Sequence, residues 1–164
     1  MMVQTDQMKV VLLEDEDLLR GLLGDWLSSQ PDIELLESFR SLKAFNSSLE
    51  SSVKDADVII ADLFLVDGES LDPVLREISA NPKKQGLVVI SGRPTSDLFD
   101  RMSNGMSGGW AFLLKNSNGL SNLRQALQAV QSGLVMVDPE LKNMFSTPGL
   151  NTSLTAQERA VIEK

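Results

Sequence analysis

The chain has 164 residues, of which 42% are hydrophobic, and its formal net charge at neutral pH is −8. These values predict one domain of ordinary size with a substantial core, and they exclude general electrostatic binding to nucleic acid. The sequence contains neither cysteine nor histidine, which excludes disulfides, thiolate or imidazole metal ligands and histidine-based catalysis.

No membrane or secretory segment is predicted. The apolar runs fall well short of the roughly 20 residues that a membrane-spanning helix needs, and the polar start over residues 1–7 differs from a signal peptide. We therefore expect a cytoplasmic protein without membrane contacts.

Apolar segments of strand length alternate with segments of helical periodicity along most of the chain. The predicted strands cover residues 8–13, 33–39, 58–61, 87–90 and 110–114. The predicted helices cover residues 18–27, 42–49, 70–80, 95–104 and 120–130. Five repeats of strand and helix indicate an α/β fold, with a parallel sheet that is covered by helices on both faces.

The pattern changes after Gly133, so we expect the first domain to cover residues 8–133. Residues 134–153 are predicted to form a linker that contains a short helix beginning at Asp138, since their second half is rich in Ser, Thr, Pro, Gly and Asn. In the segment 154–164, Thr155 and Glu158 fit a capping box ahead of apolar residues. We expect that segment to be the start of a second, truncated domain.

Polar side chains follow four of the predicted strands. Glu14 and Asp15 follow the first strand, Asp62 the third, Ser91 the fourth and Lys115 the fifth. Ligands of open parallel α/β sheets bind at the carboxyl ends of the strands. Neighbouring carboxylates repel each other unless a cation intervenes, and oxygen ligands suit Mg²⁺. A hydroxyl and an ammonium group suit a phosphoryl group, and a carboxylate can accept one as an acyl phosphate.

Each of these residues also has a purely structural interpretation. Asp62 could be a turn residue at a strand end, Ser91 a turn hydroxyl and Lys115 a solvated charge. Glu14 to Asp17 could be only the acidic start of a helix, where the helix dipole favours negative charge, and Glu16 and Asp17 are interpreted in this way. The combination of the residues, each placed after its own strand, favours a functional site.

Four segments, taken together, resemble the receiver domain of two-component response regulators. They are Val11-Leu-Leu-Glu-Asp15, Ile60-Ala-Asp-Leu-Phe-Leu-Val-Asp-Gly68, Val89-Ile-Ser-Gly92 and Gly109-Trp-Ala-Phe-Leu-Leu-Lys115. The resemblance extends over about residues 8–133. It implies a flavodoxin-like, doubly wound sheet of five parallel strands in the order 2-1-3-4-5, with five helices.

The resemblance also implies a role for each site residue. Asp62 would accept a phosphoryl group from a sensor histidine kinase, while Ser91 and Lys115 would contact the phosphoryl oxygens. Phe112 lies at the position of the aromatic switch residue. Mg²⁺ would be held by Glu14, Asp15, Asp62 and the backbone carbonyl of Phe64. Apart from self-catalysed phosphotransfer and dephosphorylation, no enzyme activity is expected.

The end of the chain carries a second resemblance. Leu154-Thr-Ala-Gln-Glu-Arg-Ala-Val161 is similar to the opening of a LuxR/NarL-type helix-turn-helix domain. It implies a transcription regulator that contacts DNA through the missing C-terminal domain, and it is compatible with a homodimer because such domains usually bind paired half-sites.

Two alternatives stay open. A haloacid dehalogenase-type phosphatase would use Asp15 as its nucleophile, but it would need a further acidic pair to hold Mg²⁺ and would leave Asp62 without a role. For that pair the sequence offers Asp138 and Glu140, which lie beyond the predicted sheet. A degenerate receiver would act as an interaction module only. It would neither bind Mg²⁺ nor react with acetyl phosphate.

Overall fold

A computed structural model describes residues 6–62, 72–92 and 96–141 of the chain. Its six strands, β1–β6, are Met8–Leu13, Ile33–Phe39, Val58–Asp62, Gly86–Ser91, Trp110–Leu114 and Val135–Val137. Its seven helices in these ranges, α1–α7, are Asp17–Ser29, Leu42–Asn46, Ser52–Asp55, Asp72–Ala80, Ser96–Gly105, Ser117–Ser121 and Leu123–Gln131. Residues 139–141 add a further helical turn.

All neighbouring strands are parallel, and their order in the sheet is β2-β1-β3-β4-β5-β6. The α/β class and the order of the first five strands are confirmed, but the prediction of five strands is wrong by one. The additional strand, β6, lies in the predicted linker and pairs with β5 from Trp110↔Val135 to Phe112↔Val137. A turn at Gly133, where φ is 84°, precedes this short apolar run.

The prediction of five helices is also wrong, because the described ranges contain seven. The predicted second helix, over residues 42–49, is α2 and ends early at Asn46, whereas α3 lies beyond the predicted end, after serine-rich turns. Ser41 caps α2 by accepting a hydrogen bond from Ala44 N at 3.1 Å. The predicted fifth helix is present as α6 and α7, which meet at Asn122. Serine and asparagine side chains compete for backbone hydrogen bonds and favour such helix ends.

The sheet separates two hydrophobic layers. Side chains from α2, α3, α4 and α5 pack on one face, and those from α1 and α7 pack on the other. Strands β3 and β4 are buried along their whole length. This arrangement explains their unbroken apolar sequences, and it leaves the polar residues at the strand ends gathered along one edge. Within the described ranges, no helix combines the length and the apolar character that a membrane crossing requires.

Candidate functional site

Three acidic residues converge at the carboxyl edge of the sheet. Glu14 directly follows β1, and its N–H donates to Phe39 O at 2.9 Å, which extends the pairing of β1 with β2. Asp62 is the last residue of β3. Glu14 and Asp62 are each 1% exposed, whereas Asp15 is half-buried. One carboxylate oxygen from each residue lies within 4.8 Å of the other two, so the sheet brings the predicted acidic group together.

Lys115 joins this acidic group from the end of β5. Its backbone N–H donates to Ser91 O at 2.9 Å. Its Nζ lies 2.6 Å from Asp62 Oδ2, 3.3 Å from Glu14 Oε2 and 3.6 Å from Glu16 Oε1. The Lys115 side chain is 20% exposed, whereas Glu14 and Asp62 are 1% exposed. One ammonium group therefore offsets two buried carboxylates.

The burial of these charged side chains and their closeness to one another shift the pKa values of Glu14 and Lys115. Burial raises the pKa of Glu14 to about 7, with a further contribution from the negative charge of Asp62; the N–H of Glu16 and the charge of Lys115 act in the opposite direction. Partial burial acts to lower the pKa of Lys115, but its hydrogen bond to Asp62 and the charges of both carboxylates outweigh this effect, and the net shift is upward. Lys115 is therefore a cation at neutral pH.

The chemistry of the donor set suits a small divalent cation. Glu14 Oε2 accepts a hydrogen bond from Glu16 N at 3.0 Å, whereas Glu14 Oε1 is buried and has no hydrogen-bond partner among the described residues. Buried polar atoms are nearly always hydrogen-bonded. A buried oxygen that lacks a hydrogen bond and lies next to two further carboxylates is therefore a candidate metal ligand. Hard oxygen donors are those that Mg²⁺ prefers. Glu14, Asp15 and Asp62 could together hold such an ion.

The structure also gives positions for Ser91 and Phe112. Ser91 ends β4, is fully buried and pairs in register with Leu114. Phe112 is fully buried in the hydrophobic layer that contains Met102 and Leu141. The switch role of Phe112 and the phosphoryl contact of Ser91 remain predictions. Phe64, which was predicted to supply a backbone carbonyl to the metal, lies outside the described residues.

Three further residues contact the site or the strand that leads into it, and none of them was predicted as part of a receiver site. Glu16, interpreted only as an acidic helix start, approaches Lys115. Arg20 Nη1 donates to Glu14 O at 3.0 Å. Asp138, which directly follows β6, accepts a hydrogen bond from Leu114 N on Oδ2 at 3.3 Å. Arg20 lies one helical turn after Glu16, but nothing in that spacing indicates its side-chain contact with Glu14 O. The role of Asp138 depends on β6, which was not predicted.

No protein-family model matches the chain. A protein-glutamate methylesterase/protein-glutamine glutaminase from Nitrobacter winogradskyi is 30% identical over 89 residues, a match that covers 52% of this chain and 19% of that protein. The chain thus matches less than a fifth of the length of this curated relative.

Solved structures resemble the chain over most of its length. The isolated REC domain of RcsB from Salmonella enterica serovar Typhimurium, in the presence of BeF3⁻, has a TM-score of 0.69 at 17% identity, with 85% of this chain and 99% of that chain covered. A LuxR-family response regulator from Aurantimonas sp. SI85-9A1 has a TM-score of 0.69 at 14% identity, with 94% and 99% covered. The response regulator domain of Thermotoga maritima CheB has a TM-score of 0.59 at 18% identity, with 77% and 96% covered. The chain therefore has the fold of response-regulator receiver domains.

Proposed function

We propose that this chain is a receiver domain that accepts a phosphoryl group on Asp62 from a sensor histidine kinase. The observation that carries the proposal is the 2.6 Å contact between Asp62 Oδ2 and Lys115 Nζ inside a cluster of three carboxylates. Similarity to response regulators supports the fold on which this cluster is built. A structural ion pair alone would not require two further acidic residues beside it.

In the proposed reaction, an oxygen of the Asp62 carboxylate attacks the phosphorus atom of a phosphohistidine. A P–O bond forms while the P–N bond breaks, and the electron pair of that bond returns to the imidazole of the kinase. The Lys115 ammonium, already beside Asp62, exchanges its carboxylate partner for an oxygen of the phosphoryl group. The Ser91 hydroxyl donates a hydrogen bond to another phosphoryl oxygen.

Mg²⁺ is the proposed cofactor. Its protein ligands would be the carboxylates of Glu14, Asp15 and Asp62 and the backbone carbonyl of Phe64. When bound, the ion supplies positive charge that offsets the charge of the phosphoryl oxygens. The unpaired Glu14 Oε1 and the clustering of the three carboxylates support this assignment.

The proposed output is control of transcription. The segment 154–164 is similar to the start of a LuxR/NarL-type DNA-binding domain, and on this proposal the receiver controls a domain of that type. One of the similar structures contains two RcsB dimers bound to two parallel DNAs, which supports a homodimer as the working form of this chain. Phosphorylation would shift the receiver between two conformations and so change its pairing with a second copy or with the DNA-binding domain. We place the protein in the cytoplasm.

The two alternatives make different demands on the site. The phosphatase interpretation uses Asp15 as the nucleophile and gives no reason for the Asp62–Lys115 contact. The interaction-module interpretation requires neither metal nor phosphoryl chemistry, although the acidic set and its lysine are complete. The methylesterase and glutaminase activities of the Nitrobacter relative are not proposed, because the match covers 19% of that protein.

The test is incubation of the chain with acetyl phosphate and Mg²⁺, followed by intact mass measurement and mapping of the acyl phosphate. We expect one phosphoryl group on Asp62, none without Mg²⁺ and none in Asp62→Asn. The matched control is Asp57→Asn, since Asp57 precedes β3 at the opposite edge of the sheet and pairs with Lys83; this variant should react like the wild type. A folded wild type that gains no phosphoryl group would favour the interaction module. Turnover of a phosphomonoester that survives Asp62→Asn but not Asp15→Asn would favour the phosphatase.

A further inference from the structure

We propose that Arg20 is a positioning residue for the acidic site, which acts by holding the backbone carbonyl of Glu14. That carbonyl belongs to the peptide group that joins Glu14 to Asp15, two of the proposed Mg²⁺ ligands. The inference rests on the proposed function, because it names the residue that sets the geometry of the proposed metal ligands.

The Arg20 side chain is fixed at both ends of its guanidinium group. Nη1 donates to Glu14 O at 3.0 Å, and Nη2 donates to Asp17 Oδ1 at 2.7 Å. The backbone of Arg20 is held as well, since its N–H donates to Glu16 O at 2.8 Å in the first turn of α1. The side chain is 22% exposed, against 74% for its partner Asp17. A planar, partly buried guanidinium with two partners is a rigid clamp rather than a mobile surface charge.

The hydrogen bond from Arg20 is one of three contacts that hold Glu14 in place. The Glu14 N–H is held by Phe39 O, and its side-chain Oε2 accepts from Glu16 N at 3.0 Å. The carbonyl is the remaining backbone polar group, and Arg20 is its side-chain donor. Because a peptide group is planar, fixing this carbonyl also fixes the direction in which the chain enters Asp15. The direction of the Asp15 side chain depends on that backbone, and one oxygen of its carboxylate lies within 4.8 Å of an oxygen of Glu14 and of Asp62.

Loss of Arg20 would leave the Glu14 carbonyl without this donor and allow the peptide group to rotate. Residues that orient metal ligands typically change metal affinity on the order of ten- to a hundred-fold when they are mutated. Arg20 also contributes a positive charge near three carboxylates, and that charge would by itself weaken the binding of a cation. The two effects have opposite signs for Mg²⁺, so the direction of the change distinguishes them.

The experiment is calorimetric titration of Mg²⁺ into the wild type, Arg20→Met and Arg20→Lys, each first shown to be folded at the temperature used. Arg20→Met should weaken Mg²⁺ binding by about ten-fold, although it removes a positive charge. Arg20→Lys keeps the charge but lacks the planar fork, and it should recover only part of the affinity. The matched control is Arg101→Met, which likewise removes an arginine bonded to two carboxylates, Asp72 and Asp97; its Mg²⁺ affinity should equal that of the wild type.

A second readout does not involve the metal. In the metal-free protein, Arg20→Lys should shift the backbone amide resonances of Asp15 and Glu16 in the NMR spectrum, whereas Arg101→Met should leave them in place.

Should Arg20→Met bind Mg²⁺ as tightly as the wild type or more tightly, the positioning role is wrong, and only the charge of Arg20 acts on the site. The positioning role would also be wrong if Arg20→Lys bound Mg²⁺ with the full affinity of the wild type. If the wild type itself binds no Mg²⁺, the proposed function fails and the inference fails with it, a result that is separate from either outcome for Arg20.

Discussion

Lys115 Nζ lies 2.6 Å from Asp62 Oδ2, although the two residues are 53 positions apart in the sequence and extend from strands that have β4 between them. The Asp62 side chain is 1% exposed, so its carboxylate is almost completely shielded from water. Glu14 shares the same ammonium group at 3.3 Å. Without any phosphoryl group, Lys115 thus offsets the repulsion between the carboxylates of Glu14 and Asp62.

Removal of that ammonium group should therefore destabilise the metal-free protein. We expect Lys115→Met to lower the free energy of unfolding by about 3 kcal/mol, because it leaves two buried carboxylates without their cation. Lys83→Met is the control: Lys83 pairs with Asp57 at 2.9 Å, but the two side chains are 41% and 26% exposed, so its loss should cost less than about 1 kcal/mol. Urea unfolding in the absence of Mg²⁺ measures both values, and equal costs would contradict the prediction.

The buried Asp138 should anchor β6 to the strand that precedes Lys115. Its Oδ2 accepts from Leu114 N at 3.3 Å, its Oδ1 accepts from Glu140 N at 3.1 Å, and its own N–H donates to Phe112 O at 2.9 Å. Asp138→Ala should cost about 1–3 kcal/mol of stability, because it removes the acceptor from two N–H groups. Hydrogen exchange of the Leu114 amide should accelerate. The neighbouring Glu140→Ala, on an exposed side chain, should leave that exchange unchanged.

Two glycines should respond in opposite ways to the addition of one methyl group. A Cβ at Gly109 would lie 2.3 Å from Val130 O, a backbone atom that cannot move aside without displacing α7. A Cβ at Gly21, in the exposed part of α1, would meet nothing within 4 Å. We expect Gly109→Ala to lower the melting temperature markedly, and Gly21→Ala to stabilise the protein by about 0.5–1 kcal/mol through helix propensity. A stable Gly109→Ala protein would contradict the close packing of α7 on β5.

The pair Arg124–Asp32 should make a pH-dependent contribution to stability. Arg124 Nη2 donates to Asp32 Oδ2 at 2.7 Å, and this hydrogen bond holds the pKa of Asp32 below its ordinary value. A carboxyl with a lowered folded-state pKa stabilises the fold above its unfolded pKa of about 3.9, and the contribution is lost as the pH falls through the folded value. The wild type should therefore melt slightly above Asp32→Asn at pH 6, and the difference should vanish in acid.

A control separates this pair from general acid denaturation. In an Arg124→Gln background, Asp32→Asn should have little further effect at either pH, since the partner that lowers the pKa is gone. A difference between the wild type and Asp32→Asn that grows on acidification would show that the carboxylate destabilises the fold.

The sequence was sufficient to predict the alternation of strands and helices and the edge at which the site lies. Strands buried on both faces leave a clear signal, because they need unbroken apolar runs such as Val58 to Ala61. The residue after each run then lies at the carboxyl edge whatever the details of the helices. For this reason the sequence alone predicts that Glu14, Asp62 and Lys115 lie near each other.

Short elements and side-chain clamps were not predictable in the same way. Three residues, Val135–Val137, carry too weak a pattern to be distinguished from a linker, and β6 becomes evident only through its pairing with β5. The predicted second helix ends early at Asn46, and the predicted fifth helix is divided at Asn122. Serine and asparagine favour such helix ends, but the helical periodicity of the sequence does not locate them. The contact of Arg20 with Glu14 depends on a rotamer, which sequence spacing does not define.

β6 has a further consequence for assembly. An uncovered β5 would be an outer strand with free backbone donors and acceptors, a template on which a second sheet could grow. In this protein β6 covers that edge by pairing with β5. A second copy of this protein therefore cannot extend the sheet by pairing with the residues of β5 that β6 already covers, and the outer strand on this side is the three-residue β6.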